Sequence, residues 1–234
     1  MGIRVKGLGL RDKGYGALVL LVVVCAALFA NTFGNPFIWD EQGLVIDNNY
    51  IKSLKHIPFL FSPGYWNNHS TGTKGQYRPL RTLTFSLDYS LWGLNPKGYH
   101  LTNLLIHTLN VILIYFLILL LPGSNRGLSF LCALFFAAHP IHTESITWIK
   151  NRSDLLSLFF FILSFHLFIR YTQNRTRAPN PNPQTLYIIP SLFYGIPPLQ
   201  GDGFDFSLSP VFLRPVFYDW PRPKKKPSCN CTIF

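Results

Sequence analysis

Leu101-Thr102-Asn103-Leu104-Leu105-Ile106-His107-Thr108-Leu109-Asn110-Val111-Ile112-Leu113-Ile114-Tyr115-Phe116-Leu117-Ile118-Leu119-Leu120-Leu121 carries no charged side chain. A helix needs about 20 apolar residues to cross a bilayer, so this stretch reads as a membrane span. Its polar residues are not scattered. Asn103, His107 and Asn110 follow each other at spacings of four and three, which places them on one helical face. A polar stripe inside a span faces other helices or water. Interhelical hydrogen bonding and contact with a ligand both remain open readings of it.

The flanking sequence extends the pattern. Gly14 to Trp39 also lacks charge, and Arg4, Lys6, Arg11 and Lys13 precede it. Basic residues before a first span place the N-terminus in the cytoplasm. An uncleaved helix is preferred over a signal peptide because no A-x-A cleavage site follows the apolar run. Further spans are expected near 128–143 and 153–170, the last followed by Arg170, Arg175 and Arg177. The expected architecture is an all-α polytopic membrane helix bundle. It has about four spanning helices near 15–33, 101–121, 128–143 and 153–170, a cytoplasmic N-terminus at 1–13 and a long outer loop at 34–100. Leu83–Leu91 within that loop fits a short surface helix with Leu83, Phe85, Leu87 and Leu91 as its apolar side.

Composition agrees. The 234 residues are 48% hydrophobic and only 13% charged, against about 25% charged in a soluble domain. The formal charge of +11 is concentrated where topology and anionic lipid headgroups account for it. No zinc spacing or nucleic-acid module appears, so membrane lipid is the expected partner of that charge and nucleic acid is not. Cys25 and Cys132 lie in apolar segments and read as small hydrophobes. Cys229 and Cys231 form an isolated C-x-C, a weak metal or disulfide signal.

Two polar clusters remain. Trp39-Asp40-Glu41 follows the first span. His139-Pro140-Ile141-His142-Thr143-Glu144 and Asn151-Arg152-Ser153-Asp154 separate the last two. Helix count puts both on the extracytoplasmic side. Asp40 and Glu41 suit either a helix N-terminus or acid–base chemistry. His139, His142 and Glu144 suit a hydrogen-bonded corner, with a divalent metal site as the weaker reading because Pro140 disturbs helical geometry.

Several ordered motifs carry a resemblance. They are Asn35-Pro36-Phe37-Ile38-Trp39-Asp40-Glu41, Tyr77-Arg78-Pro79-Leu80, Leu91-Trp92-Gly93-Leu94-Asn95-Pro96, Tyr99 through His107, and the stretch His139–Arg152. Over about residues 15–195 the chain resembles the N-terminal membrane region of the transmembrane-and-tetratricopeptide O-mannosyltransferase-like family, within the GT-C class of glycosyltransferases. The resemblance implies transfer of a sugar from a lipid-phosphate-linked donor to a hydroxyl of a protein acceptor, on the extracytoplasmic side. It implies Asp40 as catalytic base with Glu41 beside it. Tyr77, Arg78, His107, His139, His142, Glu144 and Arg152 become expected substrate-binding residues. Arg78 and Arg152 are candidates for the donor phosphate, since a guanidinium offers a planar fork of donors. Contact with ordinary lipid phosphate is the other reading of both. The implied membrane is plasma or inner membrane in a bacterium and endoplasmic reticulum in a eukaryote. A non-catalytic membrane scaffold is the alternative function.

The sequence also departs from the family. It has no helical-repeat period. After Leu192-Phe193-Tyr194-Gly195, where relatives tend to read Leu-Ser-Lys-Glu-Met, it reads Ile196-Pro197-Pro198-Leu199-Gln200-Gly201-Asp202. The codons CTC-CAA-GGA-GAT encode Leu199 to Asp202, and shifted by one base they give Ser-Lys-Glu-Met. Residues 196–234 therefore read as an aberrant, Pro-rich basic tail, with a frameshift as the favoured reading and a native basic tail that touches lipid as the alternative. Such a chain alone is expected to lack activity, because GT-C proteins build the donor site from many helices.

Overall fold

A computed structural model of the chain describes residues 15–67 and 77–175. The tail after 195 lies outside the described residues. Every regular element among those described is helical. Helix α1 spans Tyr15–Phe29 and continues as a 3-10 turn over Ala30–Gly34. The segment between α1 and α4 (Pro79–Trp92) holds short turns and two one-turn helices, α2 (Ile57–Leu60) and α3 (Pro63–Trp66). Then come α4 (Pro79–Trp92), α5 (Pro96–Leu120), α6 (Arg126–Ala138), α7 (His142–Thr147) and α8 (Arg152–Arg175).

Local chemistry sets these boundaries. Asn95 caps α5 by accepting from the Lys97 amide at 3.2 Å, with Pro96 in the first turn. There the missing proline N–H costs nothing. Asn125 caps α6 in the same way, accepting from the Leu128 amide at 2.9 Å. Leu121 and His139 are both extended, with ψ of 144° and 127°. Each precedes a proline, which disfavours helical geometry in the residue before it.

Three helices are long and apolar enough to cross a membrane: Tyr15–Gly34, Pro96–Leu120 and Ile149–Tyr171. The protein is an integral membrane protein with an all-α bundle. The expected span near 128–143 differs from the rest. Its helix α6 has 13 residues, about 20 Å of rise, against a hydrocarbon core of about 30 Å. It gains two residues at its start, while Pro140 ends it early.

Central α5 packs against α1, α6 and α8. Lipid tails are as apolar as leucine, so close backbone approach and polar contacts hold such helices together. Ser129, Ala133 and Ala137 of α6 are each fully buried and repeat every four residues, a strip of small side chains. Phe135, on another face of α6, is 76% exposed, as a lipid-facing side chain would be.

The segment between α1 and α5 takes part in two smaller cores. Leu44, Val45, Ile51, Phe85, Tyr99 and Ile149 form one, and Leu60, Tyr65 and Trp66 another. Helix α4 appears where an amphipathic helix was expected, but its orientation differs. Leu87 and Leu91 are 45% and 72% exposed, while Arg81, Thr82, Ser86 and Asp88 are buried with Phe85. The leucine side faces away from the protein, and the polar side covers the site.

Candidate functional site

The first polar cluster is built on a strained turn. Trp39 has φ of 44°, an outlier for a bulky residue. Strain of this kind gathers at functional sites. The Trp39 ring meets Trp148 edge to face at 6.2 Å between centroids. Asp40, next in the chain, forms an ion pair with Lys150 and keeps 48% of its side chain exposed. Lys150 Nζ also lies 4.9 Å from the Trp148 ring centroid. The two polar clusters, 110 residues apart, thus meet at one aromatic-lined corner.

Glu41 stands differently from Asp40. It is 1% exposed. One carboxylate oxygen accepts from the Ile38 amide and the other from the Ile149 amide, each at 2.8 Å. Burial pushes its carboxyl above the ordinary range, against the pull of the amides and of Arg152. Glu41 fastens the segment carrying Asp40 to the segment carrying Lys150, with both oxygens engaged.

Arg152 lies at the centre of a closed network. It is fully buried. It pairs with Asp88 at 2.5 Å and donates to Asn103 Oδ1 at 2.6 Å, the Tyr99 carbonyl at 2.9 Å and Thr84 Oγ1 at 3.2 Å. Its guanidinium also stacks 4.8 Å from the Phe85 ring centroid. Asp88 accepts from Thr102 Oγ1 at 2.7 Å. Burial pushes the Asp88 carboxyl up, while Arg152 and Thr102 pull it down. The expected phosphate-binding arginine is therefore committed to protein partners.

The remaining expected residues divide. Arg78 is half-buried and donates from Nη1 to Ser153 Oγ at 3.0 Å, so it reaches the same corner as Arg152 by another route. Tyr77 is 40% exposed and packs on Trp66 at 5.2 Å. His107 is fully buried, stacked on Phe136 at 5.8 Å and 5.5 Å from the His142 ring. His139 and His142 rings lie 6.0 Å apart. Glu144 is exposed and accepts from Asn151 Nδ2 at 3.0 Å. Among the described residues no three His, Cys, Asp or Glu side chains converge as a metal-holding group. The hydrogen-bonded corner is what the geometry shows there.

The polar stripe on α5 joins helices. Asn103 Nδ2 donates to the Ile146 carbonyl at 3.2 Å and Asn110 Nδ2 to the Leu155 carbonyl at 3.0 Å. Sequence reasoning missed Asp88 and Arg81. Arg81 is 1% exposed, and none of its three guanidinium nitrogens has a hydrogen-bond partner. Burial draws it down to about 10, with Arg78 and Arg152 adding to the effect and Tyr65 and Asp40 opposing it. The available signal was the spacing 81, 85, 88, one stripe of a helix. The leucine repeat beside it drew the reading instead.

The chain is 33% identical over 166 residues to protein O-mannosyl-transferase TMTC3 of Mus musculus, covering 70% of this chain and 18% of that one. It is 32% identical over 166 residues to protein O-mannosyl-transferase TMTC1 of Homo sapiens, covering 69% and 18%. With protein O-mannosyl-transferase TMTC2 of Homo sapiens it shares 34% identity over 151 residues, covering 64% and 18%. No family model matches the chain, and no solved structure does. The chain spans a small part of the length of these relatives, under a fifth of each. Their similarity over two thirds of this sequence, with the ordered motifs around Asp40, Arg78 and Arg152, means that the chain belongs to the transmembrane-and-tetratricopeptide O-mannosyltransferase-like family.

Proposed function

We propose that this chain carries the acceptor-activating corner of a membrane mannosyltransferase. The donor is a polyprenyl- or dolichyl-phosphate sugar, the acceptor is a protein hydroxyl, and the reaction lies on the extracytoplasmic side. The N-terminus is cytoplasmic, and the eukaryotic setting is the endoplasmic reticulum. The observation that carries this reading is Asp40, an accessible carboxylate on the strained Trp39 turn, held by Lys150 and backed by buried Glu41.

In this reading the acceptor oxygen attacks the anomeric carbon and forms the glycosidic bond. The bond from that carbon to the phosphate oxygen breaks, and its electron pair leaves with the phosphate. Asp40 takes the acceptor's proton. Positioned general bases contribute about 10²–10⁴-fold. Lys150 holds the carboxylate in place through their ion pair. Glu41 acts as a positioning residue, because both its oxygens already hold backbone amides. His139, His142 and Tyr77 are assigned to contacts with the acceptor or the donor.

The test is Asp40→Asn in the full-length parent. Sugar transfer falls by about 10²-fold or more, with membrane insertion and unfolding midpoint unchanged. Retained transfer removes Asp40 from the mechanism and favours a non-catalytic scaffold.

A further inference from the structure

Among the described residues, Trp39 is the side chain whose placement the fold explains least. It is the most exposed large hydrophobic residue described, at 83%. Its φ of 44° is a conformation that glycine adopts freely and a bulky residue does not. A buried tryptophan can offset such strain by packing. Here the ring meets Trp148 edge to face at 6.2 Å, and most of the indole stays open. Neither burial nor backbone geometry favours tryptophan at this position over a smaller residue.

Trp148 carries a second anomaly. It is half-buried, and its indole N–H is shut off from solvent with no hydrogen-bond acceptor among the described residues. A buried Trp N–H usually finds a partner, and each exception asks for an explanation. Lys150 Nζ, which is paired with Asp40, lies 4.9 Å from the Trp148 ring centroid. The open indole and the orphan N–H therefore stand within a few residues of extended chain, about 3.3 Å each, from the Asp40 carboxylate.

We propose that Trp39 and Trp148 bind the polypeptide acceptor beside its reactive hydroxyl. Trp39 covers an apolar side chain next to the Ser or Thr, and Trp148 Nε1–H donates to a backbone carbonyl of the same segment. An extended chain presents both at neighbouring positions, because its side chains alternate about a regular row of carbonyls. Aromatic side chains suit such a surface, since they give a large contact area for little lost rotamer freedom. In an in-line displacement the incoming hydroxyl and the departing phosphate lie on opposite sides of the anomeric carbon. Groups beside the base then meet the polypeptide and not the lipid. That choice of side rests on Asp40 as the base. The strained, open ring and the orphan N–H stand without it. The consequence is selectivity for hydroxyls flanked by apolar residues.

The test uses the full-length parent in neutral detergent and two pools of labelled peptides centred on Thr. In one pool the neighbours of Thr are Val, Leu or Pro, and in the other they are Gly or Asp. Binding is read by fluorescence anisotropy without the sugar donor, and transfer is read separately with it. Wild type binds the apolar pool about tenfold more tightly. Trp39→Gly, which suits the positive φ, removes most of that preference while the thermal midpoint holds or rises. Trp39→Phe keeps a ring and falls between. Trp148→Phe removes the N–H and lowers affinity for both pools about threefold to tenfold. Its midpoint holds, because the N–H has no partner to lose. In transfer, the loss falls on KM for the peptide, with kcat and KM for the sugar donor unchanged.

The proposal is overturned if wild type binds the two pools equally or binds neither, or if Trp39→Gly keeps the preference. A lower midpoint in Trp39→Gly with unchanged peptide affinity overturns it in favour of a structural residue. Weaker retention of Trp39→Gly in bilayers, again with unchanged peptide affinity, overturns it in favour of an interfacial anchor. A raised KM for the sugar donor alone moves the pair to the other substrate and overturns it too. Transfer by Asp40→Asn is a separate readout. An active Asp40→Asn parent whose preference for the apolar pool still depends on Trp39 would remove the catalytic base and uphold the docking surface.

Discussion

Replacing Asp88 by Asn tests whether Arg152 is a structural or a substrate-directed arginine. Arg152 and Asp88 expose 0% and 4% of their side chains and pair at 2.5 Å. Three further acceptors, Asn103, Tyr99 and Thr84, occupy the guanidinium. The Asn side chain keeps the volume and removes the charge, leaving a desolvated cation without its counter-ion. Breaking a buried pair from one side costs about 3–5 kcal/mol. Arg152→Met strands Asp88 with only the Thr102 hydroxyl and costs a similar amount. Replacing both, as Asp88→Leu with Arg152→Met, is expected to cost far less than the sum, since paired hydrophobic substitution is often neutral. The coupling in that cycle should exceed about 2 kcal/mol. The assay is equilibrium unfolding in mixed detergent micelles followed by tryptophan fluorescence, with the exposed Asp154→Asn as a control within about 0.5 kcal/mol. A coupling below about 1 kcal/mol would refute the closed network and return Arg152 to the list of phosphate ligands.

Glu41 gives a pH signature. Its folded carboxyl sits above the ordinary 4.5 because of burial, so the folded state holds the proton more tightly than the unfolded one. Stability therefore falls as pH rises from about 4.5 through the raised value, and Glu41→Gln flattens that slope in pH-dependent unfolding. Gly98→Ala should cost about 1–3 kcal/mol, because a Cβ there would overlap Cβ, Cγ and Cδ1 of Trp92. Adding Trp92→Gly, which removes all three atoms, relieves the clash, as thermal unfolding of the pair will show. Asn103→Leu should destabilise more than Asn110→Leu by about 1–2 kcal/mol. The first orphans an Arg152 donor as well as losing its bond to Ile146, while the second loses the Leu155 bond. Equal unfolding free energies would contradict that ordering.

The bundle was legible because spans are recognised by apolar length and by missing charge, both local properties. Pro140 also marks the end of α6, which stops at Ala138, short of the span expected to 143. What each cap does follows from one residue and its next turn, as at Asn95 and Asn125. The orientation of α4 did not follow from its own sequence. A leucine stripe at 83, 87 and 91 looks like a buried face, and in a soluble protein it would be one. Beside a membrane that stripe can face outward, and the side with Arg81, Thr82, Ser86 and Asp88 turns inward. The choice depends on Arg152, some 70 residues away, which needs Asp88 as its counter-charge.

The same dependence explains why the two arginines near the site could not be ranked from sequence. Arg152 sits beside a polar cluster and looks like a ligand for phosphate. Arg81 sits in a leucine-rich helix and looks incidental. Which one is available is decided by charge pairing across three segments. Asp88 takes Arg152, Asp40 takes Lys150, and Glu41 binds amides of the loops at 38 and 149. Among the described residues, Arg78 and Arg81 have no carboxylate at ion-pair distance, and Arg78 is bonded to Ser153. Asp88 is 4% exposed at its side chain and faces Arg152, so the Asp88→Asn variant should break the fold of the corner by leaving the buried guanidinium without its counter-charge.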